Sequence, residues 1–205
     1  MKNNNVLFFS LLFAFSITLF SCDKNQTKFY GDDQANDLAI FSNTQNNVMS
    51  CYVQNQPWRT TDRTSGGIFG RPNYELFINR QVTSGAKDNL VFTWYVNSNV
   101  SSTVNGDISL TLAIPKVFGY KELSAFKGQR FALDTLNGYF TFSSVQSNLI
   151  KGTGNIYFHD IQVDSIGAGN FTGRMSGLLD AKFGSSSTLT NGRFDHNIEA
   201  AQIRF

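Results

Sequence analysis

Residues 89–97 read Asn89-Leu90-Val91-Phe92-Thr93-Trp94-Tyr95-Val96-Asn97, and alternate positions, Leu90, Phe92, Trp94 and Val96, carry large apolar side chains. A period of two marks a strand that buries one face, because successive side chains of extended backbone point to opposite sides. Residues 107–114 repeat the pattern through Ile108, Leu110, Leu112 and Ile114, and residues 74–81 through Tyr74, Leu76 and Ile78. Turn chemistry separates these runs at Ser84-Gly85 and Asn105-Gly106, and Pro115 closes the last of them.

The pattern extends in both directions. Residues 48–54 alternate Met49, Cys51 and Val53 with polar neighbours; Asn55-Gln56 reads as a turn, and Pro57-Trp58 opens the next strand. Residues 130–133, 139–145, 154–163, 170–181 and 188–196 read as further strands, about ten in all by this alternation. Hairpin-length connections predict an all-β antiparallel meander that closes as a flattened lipocalin-like barrel, with a β-sandwich as the alternative. Closure removes exposed edges, which favours the barrel for strands this rich in aromatics. Only residues 117–127 show helical spacing, with Leu123 and Phe126 three apart, so a short helix is expected there.

Composition agrees with strands and turns: the 205 residues include 20 Phe, 7 Tyr and 17 Gly but only 3 Pro. That length supports one domain, residues 48–205, with a core held by packing alone. The formal charge is +2, the 17 basic residues are scattered, and no two are adjacent. Nucleic-acid binding needs clustered cations to displace counterions, so that class is excluded.

At the N-terminus, Lys2 precedes an apolar stretch at 6–20 that spans only about 22 Å as a helix, short of a hydrocarbon core of about 30 Å. It reads as the apolar region of a signal peptide, residues 1–21. Leu19-Phe20-Ser21-Cys22 resembles a bacterial lipobox, in which the cysteine is acylated and becomes the new N-terminus. Acyl chains on Cys22 would hold the protein on a membrane leaflet of the cell envelope, with the outer membrane the expected site and its face left open. Residues 22–47 are rich in Asp, Asn and Gln and are expected to form a flexible tether, with Leu38, Ala39, Ile40 and Phe41 able to dock on the domain.

Two further stretches carry a resemblance. Val53-Gln54-Asn55-Gln56-Pro57-Trp58 is similar to an early hairpin, and Gly173-Arg174-Met175-Ser176-Gly177 with Leu189-Thr190-Asn191-Gly192-Arg193-Phe194-Asp195 to a closing strand pair. Both resemble an uncharacterised family of exported Bacteroidetes lipoproteins, over roughly residues 48–205, with a departure at Gln56, where the family tends to have glycine. The resemblance implies a lipid-anchored all-β domain and brings no activity with it. Asp134-Thr135-Leu136 and Asp164-Ser165-Ile166 match a short pattern that is glycosylated in exported proteins of that group, making Thr135 and Ser165 candidate O-glycosylation sites.

Catalytic signals are thin. Cys51 is the one thiol left if Cys22 is acylated, and its place on an apolar strand face makes it a small buried hydrophobe. His159, Asp160, Asp195 and His196 form the only polar cluster worth weighing as a metal or acid–base site, and strict alternation would send adjacent His and Asp to opposite faces. Glu75 and Glu122 are the candidates for a glycosidase carboxylate pair, with solvated single carboxylates as the default. The glycines at 152, 154, 167 and 169 read as strand turns, and Trp58 and Trp94 share the phase of core positions. No cofactor is expected. The reading that follows is a non-catalytic module binding a small ligand, a glycan or a protein; a glycan- or peptide-processing hydrolase and a structural envelope protein are the alternatives.

Overall fold

The computed structural model describes residues 29–60, 75–95, 106–144, 148–167 and 170–205. The leader, Cys22 and the first part of the expected tether lie outside the described residues, as do Tyr74 and Val96. The protein is all-β. A small hairpin, β1 (Gly31–Asp32) and β2 (Ala35–Ala39), precedes the main strands. These are β3 (Val48–Val53), β4 (Gln56–Arg59), β5 (Leu76–Gln81), β6 (Lys87–Trp94), β7 (Gly106–Pro115), β8 (Arg130–Leu133), β9 (Gly138–Ser144), β10 (Asn148–Gly167), β11 (Asn170–Phe183), β12 (Ser187–Glu199) and β13 (Ile203–Arg204). The helix is α1 (Tyr120–Leu123), continued by a 3-10 turn at Ser124–Phe126, inside the stretch where helical spacing placed it.

The main strands pair in the order β13-β5-β6-β7-β9-β10-β11-β12-β3-β4, with β8 beside β10. All these pairings are antiparallel except the short parallel contact of β13 with β5, so the meander is a mixed sheet. It curls as a barrel does and, among the described residues, ends as a half-barrel between β4 and β13. Across the concave side the Trp58 indole N–H of β4 donates to the Gly106 carbonyl of β7 at 2.8 Å. Gln202 donates from the C-terminal turn to the Leu76 carbonyl at 3.0 Å.

The curl turns on β10. Its first residues pair with β9, and from Thr153 onward it pairs with β11, so one strand belongs to both halves of the sheet. The bend falls at residues 151–154, where Lys151 has φ 54° and Gly154 has φ +153°. A Cβ on Gly154 would lie 2.1 Å from the Asp180 carbonyl oxygen, so no other residue fits this crossing. The glycines expected to end strands here let one strand continue round a corner. The β3–β4 turn is also shifted by one residue from expectation. Gln54 and Asn55 occupy it with φ 51° and 62°, the left-handed pair of a two-residue hairpin turn that matches strand twist.

Among the described residues, large aromatic rings fill the concave side. Trp58, Trp94, Phe92, Phe140, Phe142, Phe158 and Phe194 are all fully buried. Phe158 meets Phe92, Phe126, Phe131 and Phe194 at centroid separations of 5.6, 5.5, 5.9 and 5.9 Å. Burying each such ring contributes about 1.5–3 kcal/mol, offset by the entropy of ordering it. Cys51 lies in this core as expected, and burial pushes its thiol pKa well up.

One edge of the sheet is locked by charge. Asp88, without solvent exposure, receives Arg80 at 2.7 Å, Lys116 at 2.6 Å and the Thr83 backbone N–H at 3.0 Å. The Lys116 ammonium, the Thr83 N–H and the Arg80 guanidinium hold its carboxyl well below the usual range. A carboxyl with a depressed folded pKa contributes stability above about pH 4 and loses it as pH falls further. Asp88→Asn is therefore expected to lower the urea midpoint at neutral pH and to flatten its fall below pH 4, checked by urea titrations across that range. An acid limb identical to wild type would contradict this.

Candidate functional site

Residues 29–47 correct one expectation: from Phe29 onward the expected tether is folded onto the convex face. Leu38 and Ala39 are buried, and Ala39 N–H donates to the Ser50 hydroxyl of β3 at 2.8 Å. Arg193 of β12 reaches up to the Asp32 carboxylate and to the Ala39 carbonyl. Beyond the hairpin the chain wraps Asp195, whose carboxylate accepts from Ser42 Oγ and from the backbone N–H groups of Thr44, Gln45 and Asn46. A polar stretch with few apolar residues is ordered here because its donors meet a buried acceptor.

That arrangement redefines the polar cluster. Asp160, Ser176 and Asp195 stand in one row across β10, β11 and β12 on the convex side. A register shift between Phe158 and Asp160 makes His159 a bulge, so it too faces outward, with its ring 5.4 Å from Phe41. The alternation argument thus fails at His159-Asp160. At Asp195-His196 it holds: His196 points into the core opposite Met175, and its Nε2 has no hydrogen-bond partner among the described residues. Burial drives its pKa down to about 3. Asp160 is bound by Lys127 at 2.8 Å and Arg174 at 2.6 Å. Burial works to raise its pKa, yet these two cations outweigh burial and hold it below the usual value.

Both carboxylates are therefore committed to structural partners, and the two histidines are on opposite sides of the sheet. Among the described residues no group of three or more His, Cys, Asp or Glu side chains is placed to hold a metal ion. Glu122 accepts the Gly119 N–H at 2.8 Å and caps α1, while Glu75 is buried at the start of β5. Thr135 sits in the β8–β9 turn at φ 70°, where Asp134 accepts the N–H groups of Leu136 and Asn137. Ser165 is exposed near the end of β10, opposite Phe171.

The convex face also carries a groove that residue-by-residue reading of the sequence missed. It encloses about 370 Å³ and is lined by Arg130, Asn155, Tyr157, Leu178, Asp180, Asn191 and Arg193 among others. Pairing register places Arg130, Tyr157, Leu178 and Arg193 in one row across β8, β10, β11 and β12. Arg130 lies 5.9 Å from the Tyr157 ring centroid, and Leu178 is exposed. The one signal in the sequence is Tyr157, an aromatic out of phase with its buried neighbours Ile156 and Phe158. A second, smaller depression of about 210 Å³ surrounds Arg174 and Gln162.

A scan against protein-family models finds no match, and neither the search of curated proteins nor that of solved structures returns one.

Proposed function

We propose that this chain is an exported lipoprotein, held on a leaflet of the cell envelope by acyl chains on Cys22, and that its domain binds a saccharide on its convex face without transforming it. The observation that carries the binding role is the contrast between the two faces. The concave side is packed with aromatic rings, whereas the convex side opens into the Tyr157 groove. A sugar ring presents apolar C–H faces and a rim of hydroxyls. Tyr157 and Leu178 offer the apolar surface, and Asn155, Asn191, Asp180 and Arg130 offer acceptors and donors around it. Spent carboxylates at Asp160 and Asp195 favour binding over hydrolysis, which needs a free acid and base flanking one bond.

The anchoring part rests on the lipobox-like residues 19–22 and on the resemblance to exported lipoproteins. Thr135 and Ser165 remain proposed O-glycosylation sites, both at turns or strand ends where a bulky sugar would be accommodated. Calorimetry against a panel of envelope and polysaccharide fragments tests the binding role. Tyr157→Ala is expected to weaken the best ligand about tenfold or more while leaving the melting temperature near wild type, the scale of one lost stacking contact. Turnover of any fragment, or affinity indifferent to Tyr157, would overturn it.

A further inference from the structure

Two pairs of large apolar side chains stand partly exposed on the N-terminal hairpin: Tyr30 and Ile40 are 58% and 46% exposed, Phe29 and Phe41 37% each. The Ile40 N–H donates to the Tyr30 carbonyl at 2.7 Å, which sets Tyr30 and Ile40 side by side as a ridge. The ridge is braced from below. The Arg59 guanidinium lies 4.4 Å over the Phe29 ring, Phe41 packs edge-on against His159, and Leu38 and Ala39 root the hairpin in the sheet.

Six residues separate Cys22 from Phe29. At roughly 3.3–3.6 Å per residue, the ridge cannot stand more than about 25 Å from the Cys22 backbone. Resting on the reading that Cys22 is acylated, we infer that this ridge seats the domain on the same leaflet, with Tyr30 and Ile40 at the boundary between headgroups and acyl chains. Aromatic rings with one polar end favour that boundary, and the tether makes the contact intramolecular, so a weak individual affinity is enough. The contact is apolar in character. Arg193 is already paired with Asp32, and Asp23, Asp33 and Asp37 offset Lys24, Lys28 and Arg59, so anionic lipid is not required.

The test uses the full chain, processed in a bacterial host and reconstituted into phosphatidylcholine vesicles containing headgroup spin-labelled lipid, after mass spectrometry of Cys22. Tyr30→Trp places a reporter on the ridge, and Leu136→Trp places one in the exposed β8–β9 turn, with the buried Trp58 and Trp94 as a common background. Quenching of the Tyr30→Trp signal is expected to exceed that of Leu136→Trp by about twofold or more and to survive high salt. An acylated protein whose Tyr30→Trp reporter is unquenched, quenched no more than Leu136→Trp, or released by salt would overturn the seat and leave the anchor standing. An unacylated Cys22 would overturn the anchor and the seat together.

Discussion

Phe158→Ala is expected to destabilise the protein by about 3–5 kcal/mol, the range for truncating a fully buried aromatic in a core that cannot collapse around the loss. Phe158 is the ring where both halves of the curled sheet and the helical turn meet. Phe92 comes from β6, Phe194 from β12, Phe131 from β8 and Phe126 from the turn after α1. Removing it leaves a void bordered by four rings from four elements, none of which can move without disturbing its own strand or turn. The neighbouring geometry is equally tight, since a Cβ on Gly177, opposite Phe158, would lie 2.4 Å from the Phe194 ring. Urea unfolding followed by the fluorescence of Trp58 and Trp94 checks the size of the effect. A loss under about 1 kcal/mol would mean the aromatic cluster is not a core common to the two halves of the sheet.

The second large effect is a dependence of stability on pH that sets in well above the carboxylate range. His196 is buried and neutral in the fold, with its pKa driven down to about 3, whereas in the unfolded chain it titrates near 6.5. The unfolded state therefore takes up a proton that the folded state refuses. Stability is complete above about pH 6.5 and falls as pH drops from there toward 3, at a slope approaching about 1.4 kcal/mol per pH unit. The Asp88 and Asp160 carboxyls, both lowered, add their losses only below about pH 4. His196→Met, beside its cross-strand partner Met175 of β11, removes the titrating group and the unpartnered Nε2 together. It is expected to abolish the slope between pH 6.5 and 4.5 and to raise stability at pH 5. A wild-type midpoint that stays flat over that interval would contradict a buried neutral His196.

Much of the sheet was legible because each strand buries one face. Leu90, Phe92 and Trp94 of β6 and Ile108, Leu110, Leu112 and Ile114 of β7 are all buried, as their alternation required. The curvature was not. Gly152 and Gly154 look like turn glycines in isolation, and only the approach of the Asp180 backbone shows that they let a strand bend and run on. The two-residue β13 is too short to show any period, and its partner β5 lies far away in sequence.

The candidate site was legible in part. Asp195 was singled out, but its role in binding residues 42–46 depends on donors some 150 positions earlier, so local composition made those residues look like loose chain. The outward bulge at His159 follows from the pairing of β10 with β11 and has no local signature. The groove draws single, ordinary residues from β8, β10, β11 and β12, which no spacing rule connects. Among the four residues weighed as a polar cluster, the structure gathers Asp160, Asp195 and His159 on one face and sends His196 to the other.

The packed interior of the half-barrel is what directs the proposed binding to its outer face. Titration of the folded protein with a long-chain fatty acid, read through the fluorescence of Trp94 and Trp58, tests it directly, because both indoles lie within the packed interior. The expected result is no saturable change in their emission. Stoichiometric quenching with a discrete affinity would show that the interior opens to an apolar ligand and would contradict the account.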